Sequence, residues 1–272
     1  MRTNMHTHSV YCDGMDTPEE MIHSALEGGF DILGFSGHGY SPFDTASMSP
    51  KGTLEYQKTI RMLEKKYQDQ ITIYLGIEQD STCRIPSRDP YDFVIASVHF
   101  LEKDGAFRAV DYSRQEFDSV LAEWYDGNIL QMAEDYYRRV GDQADFAEAD
   151  ILGHIDLFTK YNEDESYIRF NDPEYLRIAC DCLDRIGDRL IYEVNTGAIA
   201  RGYRTLPYPD ANLLACMKER NLRIMLNSDC HDRRKLDCGY ELSLDLIKKA
   251  GFQELWILKN GQFQPVELSQ FH

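Results

Sequence analysis

The sequence predicts an α/β fold, a parallel barrel of seven strands. Two observations lead there. Seven short apolar runs alternate with helical stretches along the 272 residues, and the runs are continuous rather than alternating, as strands buried on both faces are. A His, Glu or Asp follows the C-terminal edge of run after run, and in a parallel barrel those edges share one rim. An open, doubly wound sheet is the alternative, but it gathers ligands only near its switch point. Seven strands rather than eight imply an irregular or incomplete barrel. No linker or internal repeat interrupts the pattern, so residues 1–272 are expected to form a single domain.

The first strand, over 1–5, leads into His6-Thr7-His8. Two histidines two apart on a strand point the same way, which makes a chelate for a divalent metal. The loop over 9–16 holds Cys12 and Asp13. Thr17 as N-cap, Pro18 at the first helical position and Glu20 in a capping box open a helix that closes at Gly28-Gly29. His23 inside it reads as a surface or packing residue. A strand over 30–36 runs into Gly37-His38, and a helix is expected over 53–68. The strand over 71–77 ends at Glu78 and that over 91–98 at His99. Helical stretches over 114–140 and near Ala144 precede a brief strand over 150–153, which ends at His154. The loop over 156–171 carries Lys160. Asp172-Pro173 opens a helix by the same cap-and-proline logic. A strand over 190–194 leads into Asn195-Thr196-Gly197, and Asp210 starts a helix to about residue 220. The strand over 222–227 ends at Ser228-Asp229-Cys230-His231. A helix over 241–250 and a hairpin about Asn260-Gly261 complete the chain.

Composition narrows the function classes. With 43% hydrophobic and 28% charged residues the chain reads as an ordinary globular protein. The formal net charge of -17 argues against general binding to nucleic acid or anionic membrane, and it would repel a phosphate substrate. Seven cysteines without a Cys-x-x-Cys imply neither a disulfide framework nor a zinc ribbon, and a reducing cytoplasm is the expected home. No signal peptide or membrane span is expected. The chain is expected to be a monomer or a small homo-oligomer.

The polar residues at the strand ends are His6, His8, His38, Glu78, His99, His154, Asp229 and His231, with Asp13 close by in the first loop. Six of the 8 histidines fall in this set, leaving His23 and His272. A lone strand-end histidine is usually structural; six at corresponding edges point to a metal site. The ligands exceed one tetrahedral shell and suit two or three ions sharing a carboxylate. Imidazole with carboxylate fits zinc, manganese or iron. Such cations would outweigh Asp13, Glu78 and Asp229, making the pocket locally positive within an acidic protein.

His6-x-His8, Ser36-Gly37-His38, Glu78, Ser97-Val98-His99, Gly153-His154 and Ser228-Asp229-Cys230-His231 resemble, in order, the successive motifs of the PHP (polymerase and histidinol phosphatase) superfamily. The resemblance spans nearly the whole chain and implies a distorted seven-stranded (β/α)7 TIM-like barrel with a trinuclear metal centre. His6, His8, Glu78 and Asp229 would hold one ion, Glu78, His99 and His154 a second, and Asp13, His38 and His231 a third. The stretches 97–100 and 154–161, and Asn195-Thr196-Gly197 followed by Arg201, are similar to the stand-alone histidinol-phosphatases. That likeness implies hydrolysis of L-histidinol phosphate, a small-molecule ester of histidine biosynthesis, by a metal-bound hydroxide. The candidate catalytic residues are Glu78 and Asp229, with Arg201 and Lys160, both placed in loops, gripping the phosphoryl oxygens. A metal-bound water, Asp80 or Glu102 would protonate the leaving alkoxide. Asn195 would orient a ligand or cap the backbone, and Cys12 and Cys230 flank the site incidentally. The rivals are a phosphoesterase for another monoester, a nucleotide or a diester, a non-catalytic metal protein, and an amidohydrolase-type hydrolase.

Overall fold

The computed structural model describes residues 1–146 and 148–272. Strands β1 (Thr3–Asn4), β2 (Ile32–Phe35), β3 (Thr72–Asp80) and β4 (Phe93–Ser97) run parallel. The hairpin β5 (Phe100–Lys103) and β6 (Ala106–Ala109) stands apart from them. Strands β7 (Ile151–Leu152), β8 (Ile191–Asn195) and β9 (Ile224–Asn227) then continue the sheet in the order β1-β2-β3-β4-β7-β8-β9. A parallel bridge between Thr7 and Cys230 returns the last edge to the first, with the His8 amide donating to the Cys230 carbonyl at 2.8 Å. The sheet is therefore a nearly closed seven-stranded barrel. Strands β10 (Glu254–Lys259) and β11 (Gln262–Glu267) form the expected hairpin about Asn260-Gly261.

Helices α1 (Pro18–Glu27), α2 (Pro50–Tyr67), α3 (Arg114–Tyr125), α4 (Ile129–Phe146), α5 (Pro173–Ile186), α6 (Gly197–Arg201), α7 (Ala211–Glu219) and α8 (Tyr240–Lys249) complete the fold. Local chemistry sets their starts. Thr17 and Glu20 make the reciprocal capping box of α1, and Asp172 accepts from the amides of Glu174 and Tyr175 before Pro173. Ser49 and Pro50 use the same signal for α2, so that helix begins three residues before the expected start at 53. The helical stretches expected over 114–140 are the two helices α3 and α4. Asp126 and Gly127, with φ of 51° and 79°, separate them, and α4 absorbs the separate helix expected near Ala144.

Two layers form the core. Met5, Ile32, Phe93, Ile95, Ile151, Ile191 and Met225 fill the barrel from its N-terminal end, where Ile257 and Leu258 of β10 cover them. Phe93 shapes this layer, because a Cβ on Gly76 would fall 2.3 Å from its ring and one on Gly34 2.9 Å. Only glycine leaves that ring its room. The larger cluster lies between the sheet and the helices. With the N-terminal end apolar, the polar residues are left to the opposite rim. Among the described residues no helix is long and apolar enough to cross a membrane.

Candidate metal centre

The first strand stops earlier than its sequence suggests. The Asn4 side chain accepts from the His6 amide at 3.1 Å and ends β1, so the His-Thr-His motif lies just past the strand. The same-face argument survives because Thr7 takes the bridge to Cys230 and sends its hydroxyl to the Gly34 carbonyl at 2.7 Å. His6 and His8 are left together, with ring centres 5.2 Å apart.

All nine candidate ligands gather at this rim. Glu78 is the hub. Its Oε2 lies 3.3 Å from His6 Nε2, 3.5 Å from His8 Nε2 and 3.0 Å from His38 Nδ1. Its Oε1 lies 3.1 Å from His154 Nε2 and 3.6 Å from His99 Nε2. Asp229 Oδ1 is 3.2 Å from His8 Nε2 and 3.7 Å from His6 Nε2. The Asp229 backbone has a φ of 49°, the left-handed conformation that non-glycine residues adopt chiefly where surroundings hold them. Asp13 lies 3.2 Å from His231 Nε2 and 3.6 Å from His38 Nε2. The ring of His8 stacks on that of His231 at 4.1 Å, so His8 approaches the Asp13 group as well as the first set.

The donor set fits divalent cations. His6 Nδ1 sits 2.7 Å from Glu193 Oε1, His99 Nδ1 3.0 Å from Asp80 Oδ2, and His231 Nδ1 2.9 Å from the Asp229 carbonyl. Each of these oxygens accepts a hydrogen bond from Nδ1–H, which leaves the Nε2 lone pair toward a carboxylate. Acceptor then faces acceptor, and positive charge must stand between them. His6 Nε2, His8 Nε2 and Glu78 Oε2 are buried without hydrogen-bond partners. Without cations, protons meet the demand. Burial opposes charge on His6, yet Glu193, Glu78 and Asp229 raise its pKa well above the ordinary imidazole value. Burial also opposes ionisation of Glu78, yet His38, His6 and His99 hold it well below the carboxylate range. His8 is pushed down to about 3 by burial and by the charges of His231 and His38.

Three residues outside the expected ligands complete the centre. Glu193, which sequence reading passed over, is fully buried. It also accepts from the His154 amide at 2.9 Å and from Asn195 and Asn227 at 2.8 and 3.0 Å. Asn195 is thus a structural bridge, whose Oδ1 accepts from the Gly197 amide at 2.8 Å. Asp80 holds His99 by ring and amide, at 3.0 and 2.7 Å, and accepts from Thr82, so it orients a ligand instead of protonating a leaving group. Glu102 stands on the outer hairpin, 3.6 Å from Arg139, which removes it as an acid for the site. Burial raises the thiols of Cys12 and Cys230, the latter to about 12. Cys12 Sγ lies 3.5 Å from His8 Nδ1.

Beside the ligands opens a cavity of about 550 Å³, lined by Asp13, His38, His99, Asp229 and His231 and walled by Lys160 and Arg201. Arg201 is the last residue of α6 instead of a loop residue. Its guanidinium donates to Asp229 Oδ2 at 3.0 Å. Gly197 starts that helix against Asp229, where a Cβ would fall 2.7 Å from Oδ2. Lys160 is buried just after a 3-10 turn over Leu157–Thr159, and its Nζ donates to the Asp111 carbonyl at 2.6 Å. The opposite wall carries the β5–β6 hairpin, which sequence reading missed. Its signal is Asp104-Gly105, a dipeptide suited to two positive φ values, here 53° and 79°.

Comparison with known proteins agrees with this geometry. The family model described as PHP domain matches residues 4–197. A histidinol-phosphatase of Bacillus subtilis is 25% identical over 266 residues, covering 88% of this chain and 97% of the relative. One of Lactococcus lactis is 24% identical, covering 93% of each. Among solved structures, a histidinol phosphate phosphatase of Lactococcus lactis complexed with zinc, L-histidinol and phosphate has a TM-score of 0.72. It is 23% identical and covers 97% of this chain and 98% of that one. A Listeria monocytogenes chain reaches a TM-score of 0.77, covering 89% of this chain and 99% of its own. With a motif-bearing rim, a barrel of the same shape and a family match over more than half of its length, the chain belongs to the PHP domain family.

Proposed function

We propose that this chain is a metal-dependent phosphomonoesterase that hydrolyses L-histidinol phosphate to L-histidinol and phosphate, a reaction of histidine biosynthesis. The observation that carries the metal dependence is the set of buried, partnerless imidazole and carboxylate atoms about Glu78. His6, His8, Glu78 and Asp229 would hold one ion, Glu78, His99 and His154 a second, and Asp13, His38 and His231 a third, with zinc, manganese or iron as the ions. Bound there, divalent ions supply Lewis acidity, activating water near neutral pH and offsetting phosphoryl charge.

The chain's own residues do the rest. Arg201 and Lys160 face the cavity and grip phosphoryl oxygens, one as a fork and one as a point charge. Glu193 and Asp80 hold the rings of His6 and His99 at Nδ1 so that Nε2 points toward the centre. Phe43, Phe100 and Phe107 form an aromatic wall, with Phe43 stacked on Phe107 at 4.6 Å, and offer apolar surface to an imidazole ring. The named relatives, similar over almost their full length, support this substrate. The seven cysteines are free thiols, which suits a cytoplasmic setting.

The substrate is tested by kcat/KM on metal-loaded enzyme for L-histidinol phosphate, p-nitrophenyl phosphate, a nucleotide and a phosphodiester. L-histidinol phosphate is expected to exceed the others by orders of magnitude. A better monoester, nucleotide or diester would keep the phosphoesterase chemistry and overturn the substrate.

A further inference from the structure

Asp111 follows β6 on the cavity wall, beside both basic residues. Its backbone carbonyl is held twice, by Lys160 Nζ at 2.6 Å and by the Tyr161 hydroxyl at 2.7 Å. The carboxylate is therefore not needed to anchor the segment. Its Oδ2 lies 3.3 Å from Lys160 Nζ, looser than a tight charged bond, and the side chain keeps 23% of its surface exposed. Three other acids on the lining are more firmly engaged. Asp229 meets Arg201 at 3.0 Å and Glu116 meets Arg108 at 2.8 Å, while Asp44 Oδ1 accepts from the Ala46 amide at 2.9 Å. Burial opposes ionisation of Asp111, but Lys160, His99 and Arg201 keep it below the ordinary carboxylate range, so it is an anion.

We propose that Asp111 takes the ammonium group of the substrate and so selects amino-bearing phosphomonoesters, an assignment that rests on the phosphatase reading above. In L-histidinol phosphate the ammonium sits on the carbon next to the ester-bearing carbon. A group that binds it must stand next to the phosphate subsite, and Asp111 stands next to Lys160 there. The charges match in sequence. A phosphate dianion draws Lys160, and the Asp111 carboxylate that Lys160 releases faces the ammonium group the substrate offers. The same carboxylate repels a monoester that brings only negative charge, which adds discrimination.

Ethyl phosphate and O-phosphoethanolamine differ by the ammonium group, so their kcat/KM ratio isolates its recognition. The wild-type ratio is expected to favour O-phosphoethanolamine by about 10- to 100-fold, the range of one charge-assisted hydrogen bond. Asp111→Asn is expected to bring the ratio near one, mostly through KM, and to raise KM for L-histidinol phosphate. Asp111→Glu restores part of the preference. A ratio that survives in Asp111→Asn, including through equal losses on both substrates, overturns the assignment, as does a wild type without the preference. Failure of the substrate reading shows separately, as a wild type inactive on L-histidinol phosphate, and the two-substrate ratio still decides the role of Asp111.

Discussion

At the residue scale, the centre depends on carboxylates that stand behind the histidines. Glu193 touches His6, the His154 amide, Asn195 and Asn227, and so fixes one ring and one backbone at once. Glu193→Gln keeps the shape but loses the anionic acceptor for His6 Nδ1. Metal affinity, measured by competition with a chelator, is expected to fall about 10- to 100-fold. Unchanged affinity would remove Glu193 from the positioning role. The clustering of the candidate ligands was legible in the sequence because histidines are rare and stood at strand ends. Glu193 was not, because within Ile-Tyr-Glu-Val it resembles any strand acid. Its clue was physical: a charge in a strand buried on both faces needs a partner. Asp80 and Asn195 were noticed, but a sequence cannot say which atoms they touch: Asp80 was a candidate acid and is a support for His99, while for Asn195 the backbone-capping alternative is the one the Gly197 amide bears out.

At the element scale, short apolar strands were readable from their runs, and several helices from their own start signals, as at Thr17, Asp172 and Asp210. Breaks were harder. Asp126-Gly127 and Asp104-Gly105 are equivalent dipeptides, yet one separates two helices and the other turns a hairpin, and only tertiary packing decides between them. Packing also explains Gly76. Gly76→Ala would drive a methyl into the Phe93 ring, with an expected cost of about 1–3 kcal/mol in thermal unfolding. A companion Phe93→Leu should recover part of the loss, and an unaltered Tm in Gly76→Ala would contradict the packing. The loops after β7 and β8 meet at a buried acid pair, where the Asp210 amide donates to Asp156 Oδ2 at 3.0 Å. Burial, with Asp210 adding to it against the pull of Arg204, pushes Asp156 up to about 7. An unfolded aspartate titrates near about 4. The folded state therefore binds the extra proton between about pH 4 and 7, and stability from this group falls as pH rises through that window, then levels off. Asp156→Asn should flatten that fall in Tm between pH 5 and 8 in metal-loaded protein. A slope equal to wild type would assign the titration elsewhere.

At the scale of the whole molecule, the barrel divides its labour by end. The N-terminal end is packed and plugged by β10, and the opposite rim holds the partnerless atoms of His6, His8 and Glu78. That division reconciles a chain of net charge -17 with an anionic substrate, since the rim draws cations that the rest of the surface does not carry. It also means that metal-free protein must place protons on His6 and His38 beside Glu78, an arrangement that cations replace. The most direct measurement is phosphate release from L-histidinol phosphate while zinc or manganese is added stepwise to metal-stripped protein. The expected result is no activity at the start, then a rise that levels at three equivalents per chain. Full activity in the stripped protein, held in excess chelator, would contradict the assignment of this rim as a catalytic metal centre.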